Sequence, residues 1–136
     1  MKILVITTFY PHPERKDLLR DTSAVHYIAR EWVKQGHQVT VLHCYGHYFR
    51  ELVKELGKHD FRRYGKIQEC PNNEGVRVLL LEEQFWLRNA KWYLPVQQKK
   101  MAVAINQYFH EKEYEPDVLL VHFPTNYVGI VERLDI

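Results

Sequence analysis

Four short apolar runs punctuate this chain at wide intervals: ILVI from Ile3, QVTVLH from Gln38, VRVLLL from Val76 and DVLLVH from Asp117. They are rich in β-branched and aliphatic residues, and the first shows no alternation at all, so they read as strands buried on both faces. Such strands need helices above and below. The intervening segments supply them: Val25, Ile28, Ala29, Trp32 and Val33 recur at i, i+3, i+4, i+7 and i+8, one apolar stripe of a helix. Asp21, Thr22 or Ser23 can cap its start and Gly36 offers a left-handed stop. A weaker stripe, Phe49, Leu52, Val53 and Leu56, closes at Gly57. A third, Met101, Ile105, Tyr108 and Phe109, follows Pro95, a residue suited to a first helical turn. A last helical segment is expected over 127–134.

Strands and helices alternate along the whole length, which predicts an α/β fold: a doubly wound parallel sheet, Rossmann-like, in three α/β/α layers. The 136 residues fit one domain spanning 1–136. Two stretches show no clear period. Residues 58–73 read as irregular before the turn signal Asn72-Asn73-Glu74-Gly75, and residues 82–94 read as a loop with a short helical piece.

Bulk properties narrow the function. A net charge of +2 is too small to argue for a nucleic-acid surface. Cys44 and Cys70 match no metal or redox spacing and read as free thiols in a reducing compartment. No apolar run approaches the ~20 residues of a membrane helix, and the amino terminus is too short in apolar residues for a signal peptide. The expected location is the cytoplasm.

In parallel α/β sheets, ligands sit beyond the carboxyl ends of the strands. The first strand runs there into Thr7, Thr8, Phe9 and Tyr10 and is broken by Pro11 and Pro13, while the loop to Arg20 holds Arg15 and Lys16 and lacks glycine. There is no G-x-G-x-x-G and no G-x-x-x-x-G-K-[ST], so a dinucleotide or P-loop phosphate site is disfavoured. His43 and His47 stand four apart, and His12, His26 and His122 can approach one another at strand ends. No Asp or Cys completes a ligand set, so no metal site is assigned. His122 is set apart because it ends a buried strand ahead of a proline turn, where it either caps the strand or faces a cleft as a polar group or base. The cluster at 85–93, followed by Lys99 and Lys100, has the composition of a membrane-interface or sugar-stacking surface, against packing of the loop over the sheet.

Taken together, MKILVITTFYPHP, AVHYIAREWVKQGHQVTVL and EPDVLLVHFPTNYVGIV resemble the amino-terminal domain of retaining glycosyltransferases of family 4, whose architecture is GT-B. The resemblance spans Met1 to Val131 and rests on FYP after the first strand, Gly36-His37 before VTVL, and PDV with HFP at the fourth. It implies the acceptor-side half of a GT-B fold, with a nucleotide-sugar donor held by a second, carboxyl-terminal domain absent here and no cofactor in this chain. A sugar acceptor is the implied partner. His122 takes the place of the family histidine facing the reacting sugar, in a positioning rather than nucleophilic role. Thr8, Phe9, Tyr10, Arg20, Asp21, Thr22, Phe123 and Thr125 are the implied substrate-binding residues. One departure is chemical: Asp21 and Thr22 stand where the family has glycine, so side chains must replace backbone contacts there. The further expectations are contact with the inner face of a membrane and self-association through an open sheet edge. The competing expectation is a non-catalytic flavodoxin-like interaction module.

Overall fold

A computed structural model describes residues 1–11, 23–48, 64–85, 92–122 and 125–136. The expected helix at 49–56 and most of the 85–93 cluster lie outside the described residues. Among the described residues a five-stranded sheet is formed by β1 (Lys2–Thr7), β2 (Gln38–Tyr48), β3 (Ile67–Asn73), β4 (Val76–Phe85) and β5 (Val118–His122), in the order β3-β4-β2-β1-β5. Helix α1 (Ala24–Lys34) joins β1 to β2, α2 (Leu94–Glu111) precedes β5, and a 3-10 helix spans Thr125–Arg133.

The four apolar runs are the parallel strands: β1 pairs with β2 and β5, and β2 with β4. The sheet is nevertheless mixed rather than wholly parallel, because β3 runs antiparallel to β4 at the edge. Residues 67–73, expected to be irregular, form this strand. Its sequence IQECPNN is too polar to announce a strand, and Pro71 is tolerable only on an edge. The hairpin turns through Glu74 (φ 49) and Gly75 (φ 83), two positive φ values in succession, as a tight two-residue turn requires.

Alternation along each strand separates two cores. Leu4, Ile6, Leu42, Cys44, Leu79 and Leu81 pack on one face with Met101, Ala102, Ile105 and Phe109 of α2. Ile3, Val5, Val39, Val41, Val76 and Val78 pack on the other with Val25 and Ala29 of α1. Each fully buried aliphatic side chain contributes roughly 1.5–3 kcal/mol, and the two sets together produce the expected layering of helices on both sheet faces.

Both helices stop in the same way. Gly36 N–H donates to the Val33 carbonyl and His37 N–H to that of Trp32, while Glu113 and Tyr114 do likewise to His110 and Phe109. This double bond pattern needs a left-handed residue, supplied by Gly36 (φ 90) and, less comfortably, by Glu113 (φ 49). One member of the expected α1 stripe turns outward: Ile28 is 50% exposed, and His26, at 5%, takes an inward position instead. The closing segment, expected to be helical, is a 3-10 helix.

Candidate functional site

The register of the sheet brings the candidate residues together. Thr7 at the end of β1 lies opposite His43, midway along β2, on one side and His122 at the end of β5 on the other, so three polar residues form one row across three strands. Their side chains share the α1 face, because successive residues of a strand alternate between faces. β2 and β4 continue past the expected ends at His43 and Leu81, to Tyr48 and Phe85. The extension adds Tyr45 and His47 to the same face, with Glu82 opposite Tyr45.

Hydrogen bonding orders this row. Thr7 Oγ1 donates to the Phe9 carbonyl (3.2 Å) and accepts from Phe9 N–H (3.1 Å), tightening the chain as it leaves β1. The same oxygen lies 3.0 Å from His122 Nδ1. With the hydroxyl proton directed at Phe9, His122 donates through Nδ1–H and keeps the Nε2 lone pair as an acceptor. Phe9 packs edge-on against the imidazole at 6.0 Å. His122 is thereby held from two sides yet exposed.

Deeper in, the polar groups are buried. His43 Nε2 donates to the Thr8 carbonyl at 3.1 Å, and His47 Nε2 lies 2.9 Å from Glu82 Oε1. Glu82 is fully buried, and that imidazole helps to offset the hydration its carboxylate has lost. The Tyr64 ring stacks on His47 at 5.0 Å and 19°. Among the described residues Thr8 Oγ1 is buried with no hydrogen-bond partner, the kind of atom that a polar ligand would satisfy. On the opposite face Glu83 pairs with Lys100 at 3.9 Å, and burial, with Glu83 nearby, pushes the Cys44 thiol up. Both cysteines are free.

Thr8, Phe9 and His122 thus fall at or beside the strand ends. Tyr10 does not join them. It is buried under α1, its hydroxyl 2.7 Å from His26 Nδ1, while His26 Nε2 lies 2.7 Å from Glu74 Oε2. Burial pushes the Tyr10 hydroxyl up, opposed by a weaker Asn73 hydrogen bond. Arg20, Asp21, Thr22, Phe123 and the Thr125 side chain lie outside the described residues. Ser23 occupies the α1 cap position without a side-chain cap bond. Among the described residues no group of three His, Cys, Asp or Glu is arranged to hold a metal ion.

The sequence reading placed Thr7 at the start of the loop beyond the first strand but passed over Glu82, Glu83 and Tyr64. A signal existed for the glutamates: two acidic residues directly extending VRVLLL are costly at a strand end unless each has a partner.

Fold and site define an α/β domain with a polar, histidine-rich row at the carboxyl ends of its parallel strands. Compared with known proteins, the chain matches no family model, and no curated protein and no solved structure is significantly similar to it.

Proposed function

We propose that this chain is the acceptor-binding, amino-terminal half of a GT-B glycosyltransferase that moves a sugar, with retention, from a nucleotide-sugar donor to a glycan, lipid-linked or small-molecule acceptor in cell-envelope polysaccharide synthesis. The resemblance described above is one support. The observation that carries the reading is His122: an exposed imidazole at the end of a parallel strand, anchored through Nδ1 to Thr7 and buttressed by Phe9. An imidazole fixed at one nitrogen presents the other to a sugar hydroxyl or ring oxygen in one orientation, which is what positioning demands. Phe9 offers an aromatic edge beside it, and the buried Thr8 hydroxyl an unused hydrogen-bonding group. The donor would be held by a second domain across the cleft, and the protein would act on the cytoplasmic side of a membrane.

The test uses the full-length protein with a panel of nucleotide sugars and acceptors. Transfer or donor hydrolysis that falls about a hundredfold in His122→Ala, with unchanged unfolding, is the expected result. No turnover with any donor, together with unaltered ligand binding in His122→Ala, sinks the reading.

A second reading, a non-catalytic flavodoxin-like binding module, is favoured by one feature. The inner polar groups are already engaged with each other, His47 with Glu82 and His43 with the Thr8 carbonyl. Continuation of the reading frame into another α/β domain of ~150–200 residues supports the enzyme, and its absence supports the module.

A further inference from the structure

Helix α2 is apolar on two sides. Its inner face buries Met101, Ala102, Ile105 and Phe109 against the sheet. Its outer face carries Val96 (45% exposed) and Val103 (55% exposed), and Trp92, four residues ahead of Val96, is 73% exposed. Exposed valines lower helix propensity and gain no burial within this fold, so chain stability does not account for them. Val96, Val103, Lys99, Lys100, Gly65 and Glu83 line one shallow groove of about 490 Å³, and Lys66 lines its neighbour. Glu83 lies below the rim, 5% exposed, and offsets the charge of Lys100. Lys66 and Lys99 add positive charge to the same surface.

We propose that this outer face docks on an anionic bilayer, with Trp92, Val96 and Val103 entering the headgroup region and Lys66 and Lys99 reaching lipid phosphates. The combination fits that occupant better than a protein. Among the described residues the three exposed apolar side chains of this face fall well short of the ~800 Å² per partner of a stable protein interface. A membrane surface needs no shape complementarity, accepts an amphipathic tryptophan at its edge and lets lysines extend to the headgroups. Among the described residues no helix is long and apolar enough to cross a membrane, so contact would be made by lying on the surface. The inference does not depend on the glycosyltransferase reading: vesicle binding without sugar transfer would leave it standing, and transfer without vesicle binding would remove it alone.

The experiment is co-sedimentation with vesicles of phosphatidylcholine alone and of phosphatidylcholine mixed with phosphatidylglycerol, at low and high salt. The expected result is binding to the anionic vesicles only, weakened by salt and accompanied by a blue shift of tryptophan emission. Lys99→Gln should weaken binding about fivefold, the effect of one lysine near an anionic surface, and Val96→Asp with Val103→Asp should abolish it. Where the double variant unfolds, Val103→Ser with Lys99→Gln replaces it and should weaken binding by more than tenfold. The proposal is overturned by absence of vesicle binding, by equal binding to neutral vesicles, or by binding that these variants leave unchanged. Self-association removed by Val103→Ser, with no vesicle binding, would show a protein interface instead.

Discussion

Two histidines in this protein stand in opposite situations. His26 is buried in α1 with both ring nitrogens engaged, by the Tyr10 hydroxyl and the Glu74 carboxylate, each at 2.7 Å. His122 is exposed, with one nitrogen on Thr7. The first bridges elements distant in sequence: the chain after β1, the α1 helix and the β3–β4 turn. With Nδ1 held by the Tyr10 hydroxyl and Nε2–H donating to Glu74, both ring nitrogens are used. Nothing is left for a ligand. His122 is tied down just enough to be oriented, and its second nitrogen is available. The lesson is that hydrogen-bond saturation, rather than residue type, separates a structural histidine from a candidate functional one.

Substitution tests this contrast, and the largest effect is expected at His26. His26→Ala removes a buried ring and strands the Tyr10 hydroxyl, for a loss of about 3 kcal/mol in urea unfolding. A loss no greater than that of a surface alanine substitution would break the comparison. Gly75→Ala attacks the same tether from the turn. A Cβ there would lie 2.8 Å from Val33 Cγ1 on a backbone at φ 83, costing about 2 kcal/mol. Tyr10→Phe keeps the ring and leaves His26 Nδ1 without its hydroxyl partner, costing about 1 kcal/mol.

Acid probes the same contact. The hydrogen bond from His26 holds the Glu74 carboxyl below the usual carboxylate range, with Arg30 adding to the effect. Its folded value is therefore below its unfolded one. Its contribution is fully present above about pH 4.3, the ordinary glutamate value, and is lost as pH falls through the folded value. Glu69, held down by hydrogen bonds from Tyr108 and then Arg77, and Glu31, held down by Lys34, act in the same direction. Urea midpoints measured from neutral pH downward should fall below about pH 4.3, and Glu74→Gln should flatten part of that fall. An unchanged acid slope in Glu74→Gln would assign it to the other glutamates.

How far this contrast could be read in advance depends on distance along the chain. The parallel strands and the two helices were legible because apolar spacing is local. The strand-end position of His122 was legible for the same reason, as it closes DVLLVH. The partner of His26 was not: Glu74 lies 48 residues away in a turn, and only the folded hairpin brings it to α1. β3 escaped notice because pairing with β4, not its own composition, makes it a strand. The extended ends of β2 and β4 were masked by Gly46 and by two glutamates, residues that suggest a loop until His47 and Lys100 are seen beside Glu82 and Glu83. Tyr10 was placed with Thr8 and Phe9 by the resemblance carried on FYP, whereas the fold sends it under α1.

The smallest stability effect is expected at His122, and its smallness is the informative part. An exposed imidazole whose one hydrogen bond is to Thr7, a buried residue that keeps its two bonds to Phe9, should cost no more than about 0.5 kcal/mol when removed, against about 3 for His26. Thr7→Val provides the control. It deletes the Nδ1 partner and the Phe9 bonds while leaving His122 in place. If His122 acts by orientation, Thr7→Val should reduce ligand binding or transfer in the same direction as His122→Ala, and His122→Asn, which keeps a polar group there, should recover part of it. If His122→Ala instead lowers the urea midpoint as much as His26→Ala does, the imidazole is holding β5 to β1, and the distinction between the two histidines collapses.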